Sequence, residues 1–251
     1  MDAKTAASAA GVTAQEVLAT TAADNDKQGR FSTEAIEALG HAGLLGLMLP
    51  ADVGGASLGP RAFVDVVAAL AEVDASVAMV FLMHTLASRT IAAAPRTTAL
   101  QGVLTDMAAG RHLSTLAFSE AGSRSHFWVP VSRAESLNGS GARLTARKSF
   151  VTSAGHADSY VTSTLSSNGS GPTDSTLYLV LAGSARLTVA GAWDGLGLRA
   201  NASSPMHLDG CVVPADMRLT AEAGGFQAML EIFLPLFNLG QAAVSGTRAR
   251  A

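Results

Sequence analysis

Two short segments of the sequence combine apolar side chains with hydroxyl groups and glycine in a pattern that suits ligand binding. The first, 113–125, reads Leu-Ser-Thr-Leu-Ala-Phe-Ser-Glu-Ala-Gly-Ser-Arg-Ser, and the second, 148–153, reads Lys-Ser-Phe-Val-Thr-Ser. This is typical of a strand that ends where backbone and hydroxyl groups face a ligand. The turn signal at 138–141, Asn-Gly-Ser-Gly, predicts a hairpin between them. We therefore expect the two strand ends to lie side by side.

Both segments resemble motifs of the acyl-CoA dehydrogenase family. Residues 118–125 are similar to its Thr-Glu-Pro-x-x-Gly-Ser segment, and residues 148–153 to its Lys-x-Trp-Ile-Thr-Asn segment. In that family, both segments line the isoalloxazine ring of FAD. The resemblance therefore implies that this chain is a flavoprotein with FAD as its cofactor.

Further landmarks follow in the order of the family. The loop at 50–56 is similar to its Val-Pro-x-x-x-Gly-Gly-x-Gly loop, 193–203 to its Gly-x-Arg-x-x-x-Ser loop, and 213–214 and 224–226 to its Val-Pro and Gly-x-Gly-Phe signatures. Residues 195–200 also fit the letters of a dinucleotide fingerprint, Gly-x-Gly-x-x-Ala. The segment that follows them contains Pro205 and is unsuited to open the helix that such a site requires.

The resemblance assigns roles to particular residues. It implies that Ser119 and Thr152 are donors near the flavin, that Phe118 and Val151 are apolar walls, and that Phe150 stands where the family has an indole on the ring. The full set of cofactor contacts that it predicts is Leu116, Ala117, Phe118, Ser119, Phe150, Val151 and Thr152, and it predicts a substrate contact for Ser125. The alternative is that these hydroxyls bond only to local backbone, as serine and threonine commonly do.

Several positions depart from the family pattern. Ser119 replaces a threonine, Ala121 a proline, and His126 stands where an aspartate is usual. Leu234 and Phe237 occupy positions where CoA-binding members often carry an aspartate and an arginine, and losing an arginine removes a strong phosphate partner. The family's catalytic base lies beyond Ala251, so no catalytic residue is assigned, and neither Glu120 nor Glu231 is assigned that role.

The implied reaction is the α,β-desaturation of an acyl-CoA by an oligomeric enzyme that passes electrons to a partner or to oxygen. One alternative is a monooxygenase of the same fold that uses reduced flavin and oxygen. Another is a truncated or split subunit, inactive alone, that needs a partner chain carrying the rest of the C-terminal bundle. Since that bundle supplies much of the FAD contact in the family, we expect weak or no flavin binding by the isolated chain.

The composition excludes several other classes of protein. With a net charge of −3, the chain lacks the excess of positive charge that binds nucleic acid. The single cysteine, Cys211, excludes an internal disulfide. No spacing of ligands suggests a metal site. The N-terminus has no signal pattern, and the most apolar run, 75–87, is short for a membrane span of about 20 residues. These features predict a cytoplasmic protein without membrane segments.

The hydrophobic pattern predicts an α+β protein of several domains. Helical periodicity indicates an N-terminal all-α domain at 1–112, and short alternating runs, 129–131 among them, indicate a middle antiparallel β-barrel or sandwich at 113–222. Residues 223–251 are expected to be the first helix of an incomplete C-terminal helical domain, kinked or ended by Pro235. Within the first domain, we predict that Gly40 ends a helix begun by Ser32 and that His84 is a packed core residue.

Overall fold

The computed structural model describes residues 1–124 and 126–248, and helices form its N-terminal part. Helix α1 continues through a π-helical turn at Ala14–Leu18 into α2, and four further helices precede the first strand. Their bounds are α1 Ala3–Thr13, α2 Ala19–Gln28, α3 Thr33–His41, α4 Pro60–Ala71, α5 Ala75–Ala92 and α6 Thr98–Ala108. The predicted all-α start of the chain is confirmed.

Side-chain caps begin four of these helices, at Asp2, Ser32, Asp74 and Thr97, and the caps at Ser32 and Asp74 are buried. Ser32 Oγ accepts from the Ala35 amide at 3.4 Å, and Asp74 Oδ1 accepts from Ser76 and Val77 at 2.8 and 3.1 Å. These bonds satisfy amide groups that have no partner within the first turn of a helix.

The prediction that Gly40 ends α3 is wrong. The helix runs on to His41, and Gly43 takes the left-handed conformation instead, with φ +70°. Gly40 serves close packing, because a Cβ there would lie 2.7 Å from the carbonyl oxygen of Gly110.

Among the residues described between Ser114 and Pro214, seven strands form two sheets. The first sheet has the order β1-β4-β5, with β1 Ser114–Ala117, β4 Ser159–Leu165 and β5 Ser175–Leu181. The second has the order β2-β3-β7-β6, with β2 Ala134–Ser136, β3 Gly141–Val151, β7 Ser204–Pro214 and β6 Leu187–Val189. The fold class predicted from the sequence is confirmed.

Two details of the sheets differ from the prediction. β1 pairs with β4 in parallel, with Ser114 opposite Ser159, so the first sheet is not wholly antiparallel. Residues 129–131 form no strand, since they lie in the loop that leads to β2. The hairpin between β2 and β3 is as expected, with Asn138 and Gly139 at φ +51° and +86°, as a type I′ turn requires.

Two apolar cores support this arrangement. One lies among the helices and reaches β1, β4 and β5 through residues such as Leu116 and Val161, and the other lies between the two sheets. α5 is central to the first: its His84 is fully buried, as predicted, with Nε2 3.0 Å from the Leu45 carbonyl oxygen. The same ring accepts at Nδ1 from the Ser114 amide, 3.1 Å away, and so ties α5 to the start of β1.

The last helical region runs through 225–248 without a break. α7 at Gly225–Ala228 passes through a π-helical turn at Met229–Phe233 into α8 at Leu234–Arg248. Pro235 therefore does not end the helix. It stands just after the π turn, where the wider hydrogen-bond spacing removes the need for a regular amide donor.

In the part of the chain that the structure describes, two helices are long and apolar enough to meet the length and hydropathy criteria for a membrane span. These are Ala75–Ala92, 83% of which is buried inside the protein, and Gly225–Thr247, whose most apolar 18-residue stretch is 33% buried. The first is the core helix α5, and a buried helix of a globular fold satisfies the same criteria.

Candidate functional site

The ends of β1 and β3 meet, as the sequence predicts. The Ser149 amide donates to the Ser119 carbonyl oxygen at 2.9 Å, and Glu120 and Lys148 face each other in a single antiparallel bridge. The two motifs are therefore joined by main-chain bonds just beyond β1.

A buried ion pair reinforces this junction. Lys148 Nζ lies 2.6 Å from Glu120 Oε1, and both side chains are essentially inaccessible to solvent. The ammonium also donates to the Ser163 carbonyl oxygen at 2.5 Å, while Glu120 Oε2 accepts from the Val131 and Ser132 amides at 2.9 and 2.8 Å. Burial raises the pKa of Glu120, but the charge of Lys148 and the bonds from Lys148 and Ser132 lower it more, so the pKa lies below its usual value. The Glu120 carboxylate therefore has a structural role, since both of its oxygens are held by Lys148 and by the Val131 and Ser132 amides.

A cavity of about 360 Å³ opens at this junction. Strand ends, α5, the loop before β7 and the C-terminal helix supply its walls. Its lining consists of Met79, Met83, Leu116, Phe118, Ser119, Phe127, Ser149, Phe150, Thr152, Trp193, Leu198, Asn201, Ser203, Phe233, Phe237 and Gln241. None of these described lining residues carries a charge.

Five of the seven side chains predicted to contact the cofactor line the cavity: Leu116, Phe118, Ser119, Phe150 and Thr152. Ala117 and Val151 do not, since both side chains are packed in the core between the sheets. Alternation along a strand sends neighbouring side chains to opposite faces, so these two residues can offer only backbone atoms to a ligand. Val151 is thus not an apolar wall of this cavity. Ser125 lies outside the described residues.

One wall of the cavity is polar. Thr152 Oγ1 and Ser203 Oγ are 3.2 Å apart, and Asn201 Oδ1 accepts from the Ser203 amide at 3.1 Å. Main-chain bonds hold the two segments together, from the Ser153 amide to the Asn201 carbonyl oxygen at 2.9 Å and from Ala154 to Ala202 at 3.1 Å. This wall offers hydroxyl and amide groups to a ligand with several acceptors.

A second wall is aromatic. Phe233, from the π turn, packs edge-on against Phe118 and Phe127 with ring centroids 5.5 and 4.7 Å away, and it stacks on Phe237 at 5.1 Å. Such pairs form rigid apolar surfaces suited to a flat ligand. Phe237 belongs to this wall.

Phe150 stands at the rim of the cavity in a strained conformation. Its φ is +55° and its side chain is 68% exposed, which is unusual for a phenylalanine. Its ring lies 6.2 Å from that of Trp193, whose Nε1 donates to the Leu198 carbonyl oxygen at 2.9 Å. Strain of this kind is concentrated at functional sites. The exposed ring is available to cover a ligand.

The remaining acidic candidates do not face this cavity. Glu120 is held in the ion pair, and Glu231 lines a separate cleft and accepts from Gln227 Nε2 at 2.8 Å. Among the described residues, no group of three or more histidine, cysteine or acidic side chains is placed to hold a metal ion.

Sequence reasoning missed the wall residues that come from outside the two motifs. Met79 and Met83 lie on a helix that is apolar on nearly every side, so nothing marked them as facing a ligand. Asn201 and Ser203 belong to the loop at 193–203, which the sequence linked to the family but not to the cofactor. The order of the family motifs along the chain could have identified these residues, because in the family fold it places that loop at the end of β3.

A family model described as "Acyl-CoA dehydrogenase, N-terminal domain" matches residues 2–111. Among curated proteins, the chain is 32% identical over 202 residues to amino sugar nitrososynthase DnmZ of Streptomyces peucetius, covering 77% of this chain and 48% of that protein. It is 24% identical over 233 residues to an acyl-CoA dehydrogenase of Bacillus subtilis, covering 92% of this chain and 60% of that protein. The chain thus spans about half the length of the nitrososynthase.

Solved structures share the fold. Butyryl-CoA dehydrogenase from Megasphaera elsdenii aligns with a TM-score of 0.88 at 20% identity, covering 98% of this chain and 66% of that one. The FAD complex of PigA aligns with a TM-score of 0.81 at 20% identity, covering 97% and 67%.

Proposed function

The chain belongs to the acyl-CoA dehydrogenase family, and from that membership we propose that its cavity seats the isoalloxazine ring of FAD for the flavin-dependent oxygenation of a small substrate. A flavin cofactor in general is supported by the family's flavoprotein structures. The observation that carries the proposal is the cavity itself: a polar wall around Thr152 and an aromatic wall around Phe233 enclose an uncharged space at the junction of two motifs.

The flavin supplies the redox chemistry, so the protein's residues are required only to bind and shield the ring. Ser119 and Thr152 provide hydroxyl and backbone donors at the ring's polar edge. Phe118 and Phe150 provide apolar surface that excludes water. The Glu120–Lys148 pair fixes the distance between the two motifs, because each side chain also bonds to main-chain atoms of neighbouring segments.

Oxygenation is favoured over desaturation by two observations. Leu234 and Phe237 stand where CoA-binding members often have an aspartate and an arginine, and Phe237 is part of the aromatic wall. In addition, the amino sugar nitrososynthase is a relative at 32% identity, and its name indicates oxidation of an amine. An uncharged cavity also favours the neutral form of an amine, whose free lone pair is the nucleophile, because burial disfavours the charged ammonium.

The experiment compares two assays on the same protein supplied with FAD. We expect oxygen consumption and an oxygenated product when a flavin reductase provides reduced flavin and an amino sugar is added. The opposite result, bleaching of the flavin absorbance by an acyl-CoA without oxygen, would overturn oxygenation in favour of desaturation.

Desaturation of an acyl thioester is the second candidate. It is favoured by the apolar lining around Leu116 and Met83, which suits an alkyl chain, and by similarity to an acyl-CoA dehydrogenase over 92% of this chain.

A further inference from the structure

Asn201 occupies a tightly defined place on the polar wall of the cavity. It is the last residue of a 3₁₀ turn, Arg199–Asn201, just before β7. The residues that flank this turn, Leu198 and Ala202, both take left-handed conformations with φ +55° and +50°. The side chain is almost completely buried, yet the residue lines the cavity.

Hydrogen bonds determine which way its amide group faces. Oδ1 accepts from the Ser203 amide at 3.1 Å, and since a backbone N–H must donate to oxygen, the other end of the group is the NH₂. The main-chain oxygen of Asn201 accepts from Ser153 at 2.9 Å, so the backbone is also fixed. Within 1–124 and 126–248, Nδ2 donates to no protein atom.

Nδ2 is not among the fully buried polar atoms without a partner, so in the open cavity it can donate to water. A ligand that fills the cavity displaces that water, and leaving the NH₂ without an acceptor would then cost on the order of 1–3 kcal/mol. The arrangement around Asn201 is itself strained, because Phe150 and Ser153 on the facing segment also have φ of +55° and +60°. Left-handed conformations of such residues persist where the surrounding structure enforces them, often at ligand sites. Both facts indicate an acceptor on a ligand in the cavity.

We propose that Asn201 is a positioning residue of the flavin site, whose Nδ2 donates a hydrogen bond to a carbonyl oxygen or ring nitrogen of the isoalloxazine. The acceptor lies on the edge of the ring that faces Thr152, because the Ser203 hydroxyl contacts Thr152 while the Ser203 amide holds Asn201. This inference rests on the proposed flavin function. It adds a donor from the loop before β7 to the two motifs at the strand ends.

The test is Asn201→Asp, measured by titrating the full chain with FAD and following flavin fluorescence. A carboxylate still accepts from the Ser203 amide but presents an oxygen, not a donor, to the flavin edge. We expect flavin affinity to fall at least tenfold. The reduction potential of flavin bound at saturating concentration should also become more negative, since a lost donor and an added negative charge both disfavour the reduced ring. Asn138→Asp, the same change in the exposed hairpin turn, should leave both quantities unchanged.

Asn201→Ser provides a second variant in case the buried carboxylate prevents folding. A serine hydroxyl can accept from the amide two residues ahead and so can keep the local turn, but it is too short to reach the ring. Wild-type affinity and potential in a folded Asn201→Ser or Asn201→Asp variant would overturn the role of Asn201 alone. Weak flavin binding is expected of this chain alone, so the titration extends to millimolar FAD. Complete absence of binding by wild type at that concentration would overturn the proposed function and this inference with it.

Discussion

Thr152 lies where three features of the site come together. It follows the strained Phe150 by two residues, its hydroxyl contacts Ser203, and its side chain lines the cavity. Its neighbour Val151 is buried on the other side of the strand end.

The change Thr152→Val removes that hydroxyl and keeps the shape of the side chain. We expect flavin affinity to fall about three- to tenfold, the range that corresponds to one hydrogen bond of about 1 kcal/mol. Fluorescence titration with FAD measures the change. Thr188→Val, on the exposed face of β6, is the matched control and should have no effect on affinity. Unchanged affinity in Thr152→Val would exclude a contact between this hydroxyl and the flavin.

The sequence was sufficient to locate the motif residues of the site but not to orient all of them. Ser119 and Thr152 could be placed because strand ends with hydroxyls and glycine have a recognisable pattern. Ala117 and Val151 were included among the predicted cofactor contacts because a motif match covers every residue of the segment. In a strand, however, alternate side chains point to the opposite face, away from the cavity. Asn201 and Phe233 reach the cavity only through tertiary packing, which no local pattern in their own segments reveals.

At the scale of elements, close backbone contacts decide how the helices pack. α3 and the turn after α6 touch at Gly40 and Gly110, where a Cβ on Gly40 would lie 2.7 Å from a main-chain oxygen. Because backbone cannot move aside as a flexible side chain can, this contact fixes the approach of the two segments.

Gly40→Ala should therefore lower the free energy of unfolding by about 2 kcal/mol or more, as overpacking does. Gly102→Ala, in the exposed part of α6 with nothing within 4 Å of the added Cβ, should raise it by about 0.5–1 kcal/mol. Urea denaturation of both variants gives the comparison. Equal and small effects would show that the contact between Gly40 and Gly110 does not constrain the fold.

His84 links α5 to the first sheet through a neutral ring. Burial lowers its pKa from 6.5 to about 4, against opposing effects of the bonds to Leu45 and Ser114. The unfolded chain therefore binds more protons between pH 6.5 and 4, and stability is complete above pH 6.5 and falls as the pH drops toward 4. The shift corresponds to about 3 kcal/mol. Protonation at Nδ1 would also place its N–H opposite the Ser114 amide N–H, so two donors would face each other and the hydrogen bond would be lost.

The measurement is the free energy of unfolding by urea at pH 7.5 and 4.5. From pH 7.5 to 4.5, the free energy of unfolding should fall by about 2 kcal/mol more in wild type than in His84→Gln, because the glutamine side chain cannot titrate. His112 and His156 also have lowered pKa values through burial and contribute in both proteins, so the difference isolates His84. Equal pH dependence in wild type and His84→Gln would contradict the account.

Element type was more predictable than element pairing. Caps at Ser32 and Asp74 follow from local chemistry and are present. The parallel pairing of β1 with β4 could not be read from the sequence, because short strands of similar composition do not encode their partners. The uninterrupted passage through Pro235 depends on a π turn, which has no sequence signature as clear as proline itself.

At the scale of the whole molecule, the Glu120–Lys148 pair joins the two sheets under the cavity. Lys148 belongs to β3 of the second sheet and donates to Ser163 in β4 of the first. Removing one partner of a buried ion pair lowers the stability of the fold strongly, because the other charge stays buried without a partner.

Lys148→Met should lower the free energy of unfolding by about 3–5 kcal/mol. The double variant Lys148→Met with Glu120→Gln should recover part of this loss, since no unpaired charge remains. Arg61→Met, which breaks an exposed ion pair with Asp65, should cost less than about 1 kcal/mol. Thermal and urea denaturation measure all three. Additive losses in the double variant would show that the two charges do not depend on each other.

The central claim, that the cavity between Ser119 and Thr152 seats a flavin ring, is tested most directly by a crystal structure of the chain grown with FAD. We expect flat density for the isoalloxazine in this cavity, with its polar edge within hydrogen-bond distance of Thr152 and Asn201 and one face against Phe118 or Phe150. Flavin density elsewhere on the protein, with this cavity holding only solvent, would contradict it.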